Sequence, residues 1–228
     1  TTRCAFCGSA YLAEPSQHEE VIRPETVIPF RIADEEARRQ FRDWIGKGWF
    51  TPSNLKHLAR LDALRGVYTP FWTFDAHARS AWTAEAGHYY YVTVPHVSMV
   101  NGRRVSTTRQ ERRIRWEPAS GRREDNFDDV LIPGSHADRF AMIQQIYPYE
   151  LNQLTPYKPE FLAGWLALEP DIQLPAASKI GHAQMRSESE SRCASDVPGD
   201  THRNLRVNTA LSALTFKHAL LPLWICAF

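Results

Sequence analysis

The sequence predicts an α+β fold: a central antiparallel, aromatic-rich sheet with short flanking helices, preceded by part of a zinc ribbon. Three features carry that expectation. From Gly66 to Trp116 the chain is rich in β-branched and aromatic residues with stretches of period-2 alternation, which suits a pleated, half-buried surface. Apolar residues at helical spacing occur only in short stretches beside it. At the start, Cys4-Ala5-Phe6-Cys7-Gly8-Ser9 sets two thiols at a metal-binding interval.

Thiolates at the spacing of Cys4 and Cys7 bite a single tetrahedral zinc, and Gly8 lets the backbone turn beneath the metal. A closed site needs two more ligands. Cys193 and Cys226 are distant and not spaced as a pair, and His18 stands alone in a polar stretch. Residues 1–13 therefore read as the second half of a ribbon whose partner Cys-x-x-Cys lies upstream of Thr1. A thioredoxin-like redox pair would open a helix after a strand, whereas Gly8 and Ser9 lead into a proline-bearing linker over residues 14–24.

The α+β body is expected over residues 25–228. Asp34 is placed to cap a helix in which Ala37, Phe41, Trp44 and Ile45 recur at helical spacing until Gly46 and Gly48. Ser53 is placed to cap a second, short helix through Leu64, with Leu55, Leu58 and Leu61 inward. The sheet starts near Gly66, with Phe71-Trp72-Thr73-Phe74 leading into an alternating strand towards Trp82. Asn101-Gly102 accepts positive φ at both positions, so residues 89–100 and 105–116 read as a hairpin on a type I′ turn. Pro118-Ala119-Ser120-Gly121 reads as another turn. Helices are expected over Ala137–Tyr147 and, after Pro159, over Glu160–Leu168. Ala176–Ala194 reads as a surface helix, since Ile180, Ala183 and Met185 are too few for a broad buried face. Residues 205–211, 214–217 and 220–228 close the fold as strands.

The 228 residues are 43% hydrophobic and 11% aromatic, enough for one sizeable core or two small ones. With 27 Lys+Arg against 26 Asp+Glu the net charge is +1, so any attraction to nucleic acid or an acidic membrane must be local. Four cysteines and no leader pattern favour a reducing, cytoplasmic setting. The longest apolar run, Ala219–Phe228, contains Pro222 and is about half of the roughly 20 residues that a spanning helix needs.

Arginines gather at Arg103, Arg104, Arg109, Arg112, Arg113, Arg115, Arg122 and Arg123, beside Trp116 and Tyr89, Tyr90 and Tyr91. Guanidinium groups bind phosphate bidentately and aromatic faces stack on bases, so this hairpin is a candidate nucleic-acid surface. On a strand Arg109, Arg113 and Arg115 share one face and Arg112 takes the other. Asp125, Asp128 and Asp129 follow closely enough to neutralise the patch, and a solvated hairpin edge blunted against aggregation accounts for it equally. The three aspartates lack the glycine and terminal glutamate of a calcium loop and read as solvated turn carboxylates. The nine histidines are dispersed, and neither a His-Glu-x-x-His nor a Gly-x-Ser-x-Gly pattern occurs. Gly46-Lys47-Gly48 lacks the rest of a Walker pattern. No catalytic residues are nominated.

The strings Leu64-Arg65-Gly66-Val67-Tyr68-Thr69-Pro70-Phe71-Trp72-Thr73-Phe74-Asp75, Trp49-Phe50-Thr51-Pro52, Phe127–Pro133, Tyr157–Gly164 and Thr215–Trp224 resemble a bacterial family of TFIIB-type zinc-ribbon-containing proteins. Such proteins often carry a primosomal-helicase-like label, which the missing Walker motif contradicts. The resemblance implies an upstream Cys-x-x-Cys, further strand residues after Phe228, and relatives that accompany band-7 or phage-shock-type membrane proteins. It carries no catalytic residues. The function expected is that of a non-enzymatic zinc-ribbon adaptor for protein partners, cytoplasmic or membrane-associated through partners or segments outside this chain. The alternative is a nucleic-acid-binding module using Arg109, Arg113 and Arg115. Trp49, Phe50, Tyr68, Trp72, Trp82 and Trp165 are the aromatics available to partners, with at least half of them expected in the core.

Overall fold

The computed structural model describes residues 2–3, 10–11, 22–47, 64–100, 103–135 and 149–226. Among the described residues it is an α+β protein with a large sheet and two α-helices. In chain order the elements are β1 (Thr2–Arg3), β2 (Ala10–Tyr11), β3 (Thr26–Val27), α1 (Asp34–Lys47), β4 (Leu64–Val100), β5 (Arg103–Pro133), β6 (Thr155–Pro156), β7 (Leu166–Ala167), α2 (Leu174–Asp196) and β8 (Thr201–Cys226). β1 and β2 form a small antiparallel pair, while the large sheet runs β5-β4-β8-β3-β6 with β7 added to β4. The antiparallel expectation is corrected in two places, because β3 joins β8 in parallel and β7 joins β4 in parallel.

The chain divides into two compact units: unit 1 comprises Thr1–Phe74, Asp129–Gly181 and Thr215–Phe228, and unit 2 comprises Asp75–Asp128 and His182–Leu214. In unit 1, residues 66–74 of β4 are buried on both faces, as suits the mainly apolar and aromatic Gly66–Phe74 run, with Thr69 and Thr73 its buried polar members. Val67 and Phe71 pack with Ile28, Leu131, Leu221, Leu223 and Ile225. Tyr68 packs with Val27 and Leu220, under Phe30 and Trp165, whose rings stack at 4.0 Å. Trp72 is fully buried, and its Nε1–H donates to the Ile172 carbonyl at 2.8 Å. Burying such a ring contributes on the order of 3 kcal/mol.

In unit 2 the same strand alternates. Ala76, Ala78, Ser80, Trp82, Ala84 and Ala86 are buried, while Arg79, Ala81 and Thr83 face solvent. Cys193 from α2 packs against Trp82 and Ala84, with Leu205 and Val207 of β8 alongside. β4 and β8 run antiparallel there, with Ser80 Oγ 2.8 Å from Thr209 Oγ1 and Arg203 Nε donating to Glu85 at 2.9 Å.

Several local expectations are corrected. Pro118–Gly121 is not a turn: β5 runs through it, and Gly121 is required because a Cβ there would lie 2.5 Å from the Trp82 ring. Residues 205–211, 214–217 and 220–228 are not separate strands, since β8 is unbroken over Thr201–Cys226. The helix expected over Glu160–Leu168 is one 3₁₀ turn, Pro159–Leu162, followed by Gly164 at φ 84° and then β7. α2 buries Ala177, Gly181, Met185, Ser189 and Cys193, a four-residue period of mostly small side chains, while Ile180 and Ala183 are exposed. α1 starts at Asp34 as expected, but its carboxylate accepts from Arg38 Nε at 2.7 Å. The helices expected at 53–64 and 137–147, the Asn101-Gly102 turn, Trp49 and Phe50 lie outside the described residues, apart from Leu64, which opens β4.

Candidate functional site

The register of the small pair, Thr2↔Tyr11 and Arg3↔Ala10, closes a connection over residues 4–9 in which Cys4 and Cys7 occur. Those two cysteines and His18 lie outside the described residues. Of the remaining cysteines, Cys193 is a buried free thiol whose pKa is pushed up by burial and drawn back by the Ser80 hydroxyl. It is a packing residue of α2. Cys226 ends β8.

Unit 2 carries a long strand pair with exposed side chains. The Asp200 N–H donates to the Gly87 carbonyl at 2.8 Å, and the Asp200 carboxylate accepts from Tyr89 N–H at 2.7 Å, which ends the pairing of β8 with β4. From Tyr89 to Arg115, β4 and β5 continue as a two-stranded ribbon, joined for instance by Thr107 Oγ1–H to the His96 carbonyl at 3.1 Å. Among the described residues no third strand pairs with it. Every described side chain of β5 from Arg103 to Arg115 is exposed, and Tyr91, Val97 and Met99 on β4 are 62%, 60% and 66% exposed.

By strand alternation Arg109, Arg113 and Arg115 occupy one face. Arg112 takes the other, with its guanidinium 4.3 Å above the Tyr89 ring. Arg115 pairs with Glu117 at 2.9 Å and Arg113 loosely with Glu111 at 3.9 Å, whereas Arg103, Arg104 and Arg109 form no ion pair among the described residues. Two of the three aspartates expected to neutralise this patch are engaged elsewhere, while Asp128 is exposed. Asp125 accepts from Arg123 and Arg192, and Asp129 from Lys217 at 3.3 Å.

The expectation of solvated turn carboxylates also fails for Asp125, which sits within β5 and is 8% exposed. Burial pushes its carboxyl up, but the hydrogen bonds from Arg123 and Arg192 outweigh that and hold it below the usual carboxylate range. Arg123 also donates to Asp196 at 2.9 Å, Arg192 to Glu188 at 2.9 Å, and Arg192 lies over the Phe127 ring. This network ties α2 to β5. Within unit 2, ligand oxygens of Asp75 and Asp128 come within 4.8 Å of one another, an arrangement common among acidic residues without an ion.

Unit 1 presents an apolar groove of about 310 Å³, lined by Ile32, Ala37, Phe41, Trp44, Leu64 and Trp224, with Gln40 its polar member. α1 supplies three of the apolar walls. Trp44 is 63% exposed although it stacks on Phe41, with ring centroids 6.0 Å apart. Deeper in unit 1, His218 is buried with its ring stacked on Trp72 at 4.7 Å and its Nδ1 2.8 Å from the Ile22 carbonyl, so Nδ1 bears the proton. Burial depresses its pKa against the raising effect of that hydrogen bond. Sequence reasoning did not single out His218. Its place in Phe216-Lys217-His218-Ala219-Leu220, entering an apolar run, was the available signal.

The fold and these surfaces describe an α+β protein with a basic, doubly exposed ribbon and an apolar groove. The chain is similar to a Bacillus subtilis (strain 168) protein named "Uncharacterized protein YdjG", with 26% identity over 233 residues covering 97% of this chain. The chain spans 61% of that protein's length. No protein-family model matches the chain, and no solved structure matches it. Among the described residues no helix is long and apolar enough to cross a membrane.

Proposed function

We propose that this protein is a non-enzymatic zinc-ribbon adaptor that holds a protein partner in an assembly. The observation that carries the reading is the unit 1 groove: an indole left 63% exposed at the wall of an apolar cleft is what a partner's side chain would cover. In this reading Cys4 and Cys7 supply two of the four ligands of a structural zinc. The pairing of Arg3 with Ala10 supports it, because it brings the ends of the cysteine-bearing connection together as a metal knuckle requires. The zinc contributes fold stability to the ribbon and takes no part in chemistry. The assembly is cytoplasmic and reaches a membrane through its partners.

The test is purification of the tagged protein from its native cells, with elemental analysis and mass spectrometry of what accompanies it. Stoichiometric zinc, lost in Cys4→Ser/Cys7→Ser, and a stoichiometric protein partner are expected. Trp44→Ala should weaken partner capture by about tenfold, the loss of one aromatic anchor, with the thermal midpoint unchanged. Recovery only as a free monomer, or partner capture indifferent to Trp44→Ala, overturns the reading.

A further inference from the structure

We propose that the β4–β5 ribbon from Tyr89 to Arg115 is a docking arm for double-stranded DNA, entering the major groove with Arg109, Arg113 and Arg115 towards its floor and phosphate walls. The inference goes beyond the adaptor reading and does not depend on it.

Charge is the first observation. Between residues 89 and 115 there are six arginines, Arg103, Arg104, Arg109, Arg112, Arg113 and Arg115, and one acidic residue, Glu111, in a chain whose net charge is only +1; just beyond, Glu117 pairs with Arg115 at 2.9 Å. Of the later aspartates, Asp125 and Asp129 do not offset them, being paired with Arg123, Arg192 and Lys217. No lysine occurs in the segment. Arginine's planar fork suits bidentate recognition of phosphate, which a lysine point charge does not reproduce, and it also reads guanine edges.

Shape is the second. The major groove of B-DNA, about 12 Å wide, admits a two-stranded β-ribbon, whereas the deep, narrow major groove of A-form RNA does not. From Arg103 to Arg115 the strand extends roughly 40 Å, with arginines on both faces. A planar anionic membrane meets one face or the tip of such an arm and leaves the other arginines unused. A groove flanked by two phosphate rows reaches both sides. A second copy of this chain would set arginines against arginines, which disfavours it. The face bearing Arg109, Arg113 and Arg115 is the one turned to the groove because Arg112, opposite, is held over Tyr89. Thr107 on that face and Gln110 on the other strand face add exposed hydrogen-bonding groups.

The experiment is fluorescence anisotropy of the full chain with a labelled duplex DNA of about 20 base pairs, titrated across salt concentrations. Duplex binding is expected whose logarithmic salt slope falls by about three when Arg109, Arg113 and Arg115 become alanine together, with affinity down at least about tenfold. The corresponding triple lysine variant keeps the charge and guards against misfolding; it should retain the salt slope and still bind more weakly. No duplex binding, binding indifferent to the triple alanine change, equal or tighter binding to the single strand, or binding to phosphatidylserine vesicles in preference to duplex each overturns the proposal. Because Trp44 lies outside the arm, the Trp44→Ala experiment separates failure here from failure of the adaptor reading.

Discussion

Asp125 shows how one carboxylate organises its surroundings. It is 8% exposed and accepts from both Arg123 and Arg192, each of which holds a second acid, Asp196 and Glu188. Asp125→Asn removes the charge that both guanidinium groups share, and should destabilise the protein by about 2 kcal/mol, read as a lower urea midpoint at unchanged slope. His218 answers to acid in a different window. Its folded pKa lies below that of the unfolded chain, so the unfolded state takes up the proton first and stability falls as pH drops below about 6.5. The Asp125 contribution is instead present above the unfolded carboxylate value of about 4 and is lost below it. Urea midpoints measured from pH 7.5 to 5 should therefore decline in the parent chain and stay flatter in His218→Gln; equal slopes in the two would exclude His218 as the source. Neither role was legible beforehand, because Asp125 lies among other acids and His218 among dispersed histidines, and only neighbours distant in sequence set them apart.

β4 passes through three environments without changing its backbone. Residues 66–74 are covered on both faces, residues 76–86 on one, and residues beyond Tyr89 on neither. The first two regimes are written in the residues, as a mainly apolar and aromatic stretch interrupted only by Thr69 and Thr73, and then alternation of Ala, Ser and Trp with partners that are polar except for Ala81. The third is not, because whether a neighbour exists to cover an alternating strand depends on where β8 begins. Gly121 was misread for a related reason: after Pro118 it reads as turn chemistry, whereas its purpose is to let Trp82 lie against the backbone of β5. Gly121→Ala should cost about 1–3 kcal/mol in chemical denaturation with the hairpin's far-UV signal retained, since the indole must move to admit the methyl group. If Gly121→Ala is neutral, close packing is not what glycine provides there. α2 makes the same point from the helix side. Its stripe of Ala177, Gly181, Met185, Ser189 and Cys193 has too little apolar volume to announce a buried face, yet small side chains are what allow a helix to approach closely; Gly181 sits where a Cβ would be 2.9 Å from Phe74.

The two candidate surfaces share no residue and fall in different units, the groove in unit 1 and the arginine ribbon in unit 2. Trp44→Ala is therefore expected to leave DNA affinity within about twofold, and the triple arginine change to leave partner capture within the same range, as independent sites require. Cross-effects larger than that in both directions would show one composite surface. A protein partner on one unit and an anionic polymer on the other is a workable plan for an adaptor, which needs affinity on separate faces and no reactive centre. The α+β class, the α1 helix, the strand character of residues 66–100 and 103–116 and the basic strand pair followed from residue order alone, because they rest on period and charge that neighbours in the chain supply. Which strands pair, the parallel addition of β3 and β7, the union of three expected segments into β8, and the engagement of Asp125 and Asp129 away from the ribbon were decided by contacts between residues far apart in sequence. Those contacts leave no local period to read, and they are what determine which of the chain's arginines and aromatics remain free to meet another molecule.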